Sequence, residues 1–307
     1  MGTPDFSKES LEAVHNAGHE ILGVVTNPDR PKGRGMKLVA SPVKEYAISK
    51  KLNLYQPEKI RNNIEFIEEI KSLKPDVICV VAYGKILPKE ILEIPKLGCI
   101  NVHASLLPKY RGAAPIQWAV INGDKTTGIT TMYMDVGMDT GDMILKQEVK
   151  IGSDETTGEL WGRLAQIGGQ LLVQTLEKIE KGIAPRIKQS DDFSMAPMLD
   201  KEMAKIDWNN KTAIEIKNLV RGLDPIMGTY SYLDGKKIKL WKVDVLQDDN
   251  SNIENGTVIK SDCKEGLYIR AQKGIIKVLE IQGENAKRMK IDEFLRGNNI
   301  AVGEKFA

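Results

Sequence analysis

Residues Gly98 to Gly112 read Gly-Cys-Ile-Asn-Val-His-Ala-Ser-Leu-Leu-Pro-Lys-Tyr-Arg-Gly. The opening run Cys99-Ile100-Asn101-Val102-His103 is apolar and β-branched, with a polar residue entering at every second position, which is the pattern of a strand leaving a core. Successive side chains on a strand point to opposite faces. Asn101 and His103 therefore share one face, and Ile100 and Val102 share the other. An amide and an imidazole thus project together from the C-terminal end of a strand, just before a loop containing Pro108. In open α/β sheets that end of the strands is where ligands sit.

The chemistry open to this pair is specific. Amide and imidazole N–H groups can both donate to an oxygen on which negative charge develops during attack at a carbonyl-type carbon. Histidine also exchanges protons near neutral pH. Neither side chain is a strong nucleophile, so the pattern points to direct attack by the substrate.

A partner lies downstream in Asp135-Val136-Gly137-Met138-Asp139-Thr140-Gly141-Asp142. Gly137 and Gly141 frame Asp139, which suits a tight loop that delivers a carboxylate into a cleft. An Asn-x-His pair by itself is most often a satisfied core pair, and the aspartate loop by itself says no more. The two together, in this order and with Ser-Leu-Leu-Pro-Lys-Tyr-Arg-Gly-Ala-Ala-Pro-Ile-Gln-Trp between them, resemble the formyltransferases that use 10-formyltetrahydrofolate. The resemblance implies that Asn101, His103 and Asp139 are the catalytic set.

The chain has 307 residues, 41% of them hydrophobic and 28% charged, which is enough for two ordinary globular domains. It carries no apolar run of membrane-spanning length and no secretory leader. Cys79, Cys99 and Cys263 are far apart and offer neither metal-ligand spacing nor a disulfide framework. A reducing cytoplasm, no metal and a monomeric chain are the expectations. The formal net charge of +2 is too small to declare a nucleic-acid binder, so only local clusters of charge carry an argument.

The strongest such cluster is Asn27-Pro-Asp-Arg-Pro-Lys-Gly-Arg-Gly-Met-Lys37, a cationic segment rich in Gly and Pro, suited to phosphate contacts that carry little sequence information. A solvated charged loop is the plain alternative. In the tRNA-specific members of the resembled family a loop of this kind meets the acceptor end of the tRNA, which singles out Arg34, with Arg30, Lys32 and Lys37 as electrostatic partners.

Elsewhere the periodicity predicts helices over 7–17, 43–52, 58–73, 87–94, 115–120 and 157–181, the last interrupted by Gly168-Gly169, which should weaken or bend it. Strands are expected at 21–25, 76–82, 128–134 and 143–149. The run 76–82 ends in Tyr83-Gly84, where glycine allows close approach of a ligand. By resemblance Tyr83 and Gly84, together with Ser105, Leu106, Leu107 and Pro108, hold the folate; core packing is the competing account of the leucines. In the family, Gly-Thr-Pro-Asp-Phe follows directly on a short apolar first strand. That strand is missing before Gly2: either the natural start lies several residues upstream or the protein lacks the strand, and the first is the expectation, because losing an interior strand of a parallel sheet would leave unpaired backbone groups and exposed apolar surface.

Residues 182–204 lose periodicity and collect polar residues and prolines, as a linker does. A helix over 211–221 follows, then five short strands at 228–233, 237–246, 256–259, 267–270 and 275–281, a count that fits a small OB-like barrel. Lys236, Lys237, Lys239 and Lys242 form a candidate phosphate-facing stripe, although a soluble barrel surface accounts for lysines equally.

The expected architecture is therefore α/β: a Rossmann-like, mostly parallel catalytic domain over 1–184, a linker over 185–204 and an OB-like tRNA-binding domain over 205–307. The resemblance implies transfer of a formyl group from 10-formyltetrahydrofolate to the α-amine of methionine on initiator tRNA. A sibling enzyme acting on an amino sugar nucleotide or small amine, and a non-catalytic RNA-binding protein on a relic folate fold, are the rivals.

Overall fold

The computed structural model describes residues 1–32, 37–247 and 252–307. Arg34, the main basic-loop candidate, lies outside the described residues. The chain divides into two compact units: residues 1–115, 126–150 and 161–197 make the first, and residues 116–125, 151–160 and 198–307 make the second.

In chain order the elements up to the second unit's barrel are α1 (Asp5–Asn16), β1 (Val24–Val25), β2 (Arg30–Lys32), β3 (Lys37–Val39), α2 (Pro42–Ser49), β4 (Leu54–Tyr55), α3 (Ile64–Ser72), β5 (Ile78–Val80), α4 (Lys89–Leu92), β6 (Cys99–His103), α5 (Pro115–Ile121), β7 (Thr126–Tyr133), β8 (Met143–Lys150) and α6 (Thr157–Glu180). Each predicted helix is present, with ends set by local chemistry. Ser41 Oγ accepts from Lys44 N–H and Pro42 opens α2, the expected start signal. The third helix begins six residues later than its periodicity suggests: Asn62 sits at φ +60°, outside helical geometry, and Asn63 caps the Phe66 N–H.

The parallel pairs are β1 with β4 and β5 with β6, whereas β6, β7 and β8 run antiparallel, so the sheet is more mixed than the expected parallel one. For β7 and β8 the reason is the Asp139 loop between them, a hairpin connection too short to return the chain for a parallel pairing. The strands expected at 21–25 and 76–82 shrink to Val24–Val25 and Ile78–Val80, because β1 and β5 share no ladder. Between their ends sits only Gly2, whose N–H donates to the Val25 carbonyl (2.9 Å), while the Met1 carbonyl accepts from Val81 N–H (2.9 Å). Alongside is a cavity of about 600 Å³ lined by Val14, Val24, Val25, Ile78, Leu172 and Ile179. The Met1 ammonium donates to the Cys79 carbonyl at 2.6 Å, and burial pushes its pKa down.

Gly168 and Gly169 do not break α6, which runs unbroken from Thr157 to Glu180. A Cβ at Gly168 would lie 3.1 Å from Val102 Cγ1, and one at Gly169 would lie 3.0 Å from Ala13 Cβ and the Glu9 carbonyl. The two glycines let the helix close on α1 and on the strand that bears His103, and packing offsets their low propensity.

Residues 185–197, expected as linker, are packed onto the first unit. Ile187 pairs with Met143, and Met195 pairs with Arg111, with Arg111 N–H donating to Ser194 O (2.8 Å) and Ala196 N–H to Arg111 O (2.7 Å). Their polarity reflects hydrogen bonding along this strap, which hydrophobic periodicity does not register.

The second unit holds a 3₁₀ turn at Glu202–Ala204, α7 (Ala213–Leu223), β9 (Thr229–Leu233), β10 (Lys236–Leu246), β11 (Val258–Asp262), β12 (Gly266–Arg270), β13 (Ile275–Gln282), β14 (Met289–Lys290) and α8 (Ile291–Gly297). The five expected strands are found in the order β11-β12-β13-β10-β9 around one core that includes Ile238, Leu240, Leu267, Ile276 and Val278. The chain's last residues bridge the two outer strands. Phe306 N–H donates to Gly256 O (2.9 Å), Val258 N–H to Glu304 O (2.8 Å), and Ala307 exchanges hydrogen bonds with Tyr232 in β9 (3.0 and 2.9 Å). The β layer is thus closed by backbone pairing, as an OB-like barrel requires. Phe306, 1% exposed and against Trp208, is the side chain that seats this closure. Phe306→Ala is expected to lower unfolding stability by about 3–5 kcal/mol in denaturant titration; a loss below about 1 kcal/mol would show that the tail does not close the barrel.

Candidate active site

The site grows from the parallel pair β5 and β6, in which Val80 stands opposite Asn101. Their C-terminal ends therefore leave the sheet on the same side, carrying the Ala82–Gly84 turn and the Asn101–His103 face. Asn101 is half-buried, and its amide makes no side-chain hydrogen bond among the described residues. His103 is 6% exposed. Its Nε2 lies 2.9 Å from the Tyr110 carbonyl. A carbonyl only accepts, so Nε2 carries the proton. Nδ1 faces Asp139 Oδ2 at 3.6 Å, and that oxygen also accepts from the Gly112 N–H at 2.8 Å. The ring nitrogen and the carboxylate face each other at ion-pair range, just beyond a direct hydrogen bond. Of the two polar side chains that the strand pattern put on one face, the Asn101 amide is unengaged among the described residues, and the His103 imidazole faces Asp139.

Asp139 holds its position under strain. Its φ is +55°, a left-handed conformation that a non-glycine residue adopts only when its surroundings impose it. Neighbouring Val136 and Met138 are 75% and 57% exposed, while Asp139's side chain is only 14% exposed.

The Ser105–Pro108 segment is pinned rather than open. Ser105 Oγ donates to Lys109 O (2.6 Å), Thr130 Oγ1 donates to Ser105 O (2.7 Å) and accepts from Leu107 N–H (3.1 Å), and Lys146 Nζ donates to Leu107 O (2.5 Å). Burial lowers the Lys146 pKa. Leu107 is 1% exposed among Met132 and Met143, so its side chain belongs to the core. Leu106 is half-buried and lies over Gly128, where a Cβ would come within 2.5 Å of its Cδ2. Pro108 is half-buried beside them. Of this set, Leu106 and Pro108 have surface left to wall a flat ligand, and Leu107 has only backbone.

Tyr83 is likewise a core residue by its ring, packed with Phe66, Ile70 and Leu87. Its carbonyl accepts from Asn27 Nδ2 (3.0 Å), its hydroxyl is buried without a hydrogen-bond partner among the described residues, and burial pushes the phenol up to about 12. Gly84 is exposed at φ +74°, with no atom within 4 Å of where a Cβ would stand. The glycine serves the turn, and the space around it is open.

The described parts of the basic segment lie in β2 and β3, which pair antiparallel, with Lys32 in register with Lys37 and Arg30 with Val39. Arg30 is exposed. In the second unit the lysines of β10 do not form one stripe. Lys237 and Lys239 lie over the rings of Tyr230 and Trp241, at 3.5 and 5.3 Å from the centroids, whereas a register shift beyond Leu240 leaves Lys242 exposed apart from them.

Among the described residues, neither the nearby cysteines nor Ser105 is poised as a nucleophile. The Cys79 and Cys99 thiols are pushed up to about 11 and about 12 by burial, so neither is a thiolate near neutral pH. Ser105 Oγ is spent on a backbone carbonyl. Among the described residues there is no cluster of His, Cys, Asp or Glu fit to hold a metal, and no helix long and apolar enough to cross a membrane. The site presents an unengaged amide donor beside a histidine that faces a carboxylate at 3.6 Å.

Comparison with known proteins defines the class. Residues 1–176 match the formyl transferase family, and residues 198–299 match the formyl transferase C-terminal domain. The chain belongs to the formyl transferase family. Curated relatives that it resembles over its whole length carry a more particular name, methionyl-tRNA formyltransferase: that of Clostridioides difficile is 52% identical over 99% of this chain and 97% of its own, and that of Caldanaerobacter subterraneus is 49% identical over the same shares. Among solved structures, an N-formyltransferase from Helicobacter canadensis in complex with folinic acid and dTDP-3-aminofucose superposes with a TM-score of 0.66 at 20% identity, covering 90% of this chain and 97% of its own. HypX from Aquifex aeolicus, solved with tetrahydrofolic acid, gives 0.59 at 16% identity, covering 84% of this chain and 47% of its own. At such identities these two speak for the fold.

Several residues that build the site carried no separate signal in the sequence. Tyr110 and Gly112 act through backbone groups, and Thr130 and Lys146 through bonds to backbone carbonyls. Gln189 lies in the stretch that reads as linker.

Proposed function

We propose that this enzyme transfers the formyl group of 10-formyltetrahydrofolate to the α-amino group of methionine on initiator tRNA, in the cytoplasm and without a metal. The observation that carries the reading is the His103–Asp139 pair at 3.6 Å beside the unengaged Asn101 amide, in a chain about half identical to methionyl-tRNA formyltransferases from end to end.

The site suits such a donor. The open surface at Gly84 and the flat apolar faces of Leu106 and Pro108 fit a heterocycle, and Asn27 Oδ1, without a hydrogen-bond partner among the described residues, offers unspent accepting capacity beside the same turn. The folate supplies a formyl carbon on an amine leaving group. The chain's own residues then divide the work. Asn101 donates its amide N–H to the formyl oxygen as charge builds there. The His103–Asp139 pair receives the proton of the attacking amine and returns one to folate N10 as the C–N10 bond breaks, and the Tyr110 carbonyl keeps the ring oriented while it does so. Neutral amine is the nucleophile, so no acyl-enzyme forms.

Purified protein with 10-formyltetrahydrofolate, offered methionine-charged initiator tRNA, a charged elongator tRNA and a free amino sugar, is expected to formylate the initiator; formylation of the sugar alone would overturn the acceptor, and no transfer would overturn the activity. Asn101→Ala should cost on the order of a hundredfold in kcat, the usual price of one oxyanion donor, and near-normal turnover would remove Asn101 from the set. Arg34→Ala should weaken tRNA binding and reduce the slope of affinity against salt by about one counterion. An unchanged salt slope would make the basic segment a solvated surface.

A further inference from the structure

We propose that Gln189 is a positioning residue that clamps the Asp139 loop, holding the carboxylate against His103; this rests on the assignment of Asp139 to the proton-sharing pair. The need for a clamp follows from the topology. The loop leaves the sheet after Tyr133, which stands opposite Ile100, three residues before His103 on β6. At about 3.3 Å per residue the loop must carry its carboxylate back some 10 Å along the strand. It does so through a left-handed Asp139, a conformation of order 1–3 kcal/mol above the relaxed backbone. Something outside the loop has to hold it there.

Gln189 makes four hydrogen bonds, and all of them serve this purpose. Its Nε2 donates to the Asp139 carbonyl at 2.8 Å and to the Gly141 carbonyl at 2.9 Å. Its Oε1 accepts from Arg111 Nε at 2.9 Å and Nη2 at 2.8 Å. Arg111 is itself immobilised: 8% exposed, stacked 4.5 Å over the Phe193 ring, and bonded at both its N–H and its carbonyl to the strap that carries Gln189. The residue after Arg111 is Gly112, whose N–H grips Asp139 Oδ2. Asp139 is therefore held at its backbone by Gln189 and at its carboxylate by Gly112, with Arg111 tying the two grips together. The amide is the only side chain of this shape that presents two donors to the carbonyls and an acceptor to the guanidinium at once.

That chemistry provides a selective variant. Gln189→Glu keeps the pairing with Arg111 and turns an oxygen toward the Asp139 and Gly141 carbonyls, releasing the loop without unseating the strap. It is expected to lower kcat about 30–100-fold, as a displacement near 1 Å does, with KM for folate and tRNA within about twofold of wild type. In an Asp139→Ala background the same change should add nothing, because the group it positions is gone. A loss that adds in full to that of Asp139→Ala, or a change confined to KM and thermal stability, would overturn the proposal. A second readout does not depend on turnover. The chain has three histidines, His15, His19 and His103, so the His103 ring resonances can be followed by NMR: in Gln189→Glu they should move toward their positions in Asp139→Ala. Unmoved resonances would overturn the clamp even if activity fell. Should the wild-type protein transfer no formyl group to any acceptor, the functional reading fails, and the resonances still decide the clamp.

Discussion

Asp139→Ala is expected to lower kcat roughly a thousandfold, in the middle of the span usual for loss of a positioned proton-transfer group. The argument is geometric. His103 Nε2 is committed to the Tyr110 carbonyl, so Nδ1 is the ring nitrogen left for exchange, and Asp139 Oδ2 is the group it faces at 3.6 Å. With the carboxylate removed, Nδ1 loses the partner that makes the ring a proton acceptor in this orientation, and Gly112 N–H loses its acceptor. The fold should persist, since the side chain is at the end of an exposed hairpin loop and outside the hydrophobic clusters. Single-turnover measurements with saturating folate and charged initiator tRNA check it. A decrease of less than about tenfold would take proton transfer away from this pair. Because the pair acts as a unit, His103→Ala should cost about the same, and the double variant little more than either.

Gly141→Ala is expected to be the most damaging small change on the chain. A Cβ there would stand 1.8 Å from the Tyr133 carbonyl oxygen and 2.9 Å from its carbon. The obstacle is backbone of the paired strand, which also accepts no easy shift because Tyr133 N–H is bonded to Asp142 O at 2.9 Å. A flexible side chain would move aside; a ladder carbonyl does not. The hairpin must open, at about 3 kcal/mol, and in opening it withdraws the Gly141 carbonyl from Gln189 and Asp139 from His103. Stability and turnover should therefore fall together, kcat by about a hundredfold or more for a displacement near 1 Å. Wild-type Tm with wild-type kcat would show that the loop has room that the structure does not give it.

The two variants separate what each residue type contributes. Asp139 is there for its carboxylate, and its loss leaves the scaffold. Gly141 is there for the absence of a side chain, and its loss disturbs the scaffold that aims the carboxylate.

Much of this was legible before any fold was known. Alternation in Cys99–His103 located the strand and placed Asn101 and His103 on one face, because side-chain direction on a strand is a purely local property. Glycines on either side of Asp139 marked a tight loop, and five short segments with glycine turns marked the second unit's β layer. Local patterns misread the rest where the deciding partner was remote in sequence. Gly168-Gly169 read as a weak point in a helix, yet they admit α1 and Val102. Residues 185–197 read as linker, yet they are hydrogen-bonded along 110–114. The side chains of Leu107 and Tyr83 face the core, which leaves their backbone as the part open to a ligand.

The sequence by itself determined the kinds of groups at the site, their order and the strand that carries them, since residue identity and backbone period are properties of the chain alone. Only the tertiary structure decided which oxygen faces which nitrogen. The 3.6 Å between His103 and Asp139 depends on a carbonyl seven residues on, an amide hydrogen at Gly112 and a glutamine fifty residues beyond the aspartate. Such bonds act between backbone and side chains that folding alone brings together, and no spacing along the chain encodes them.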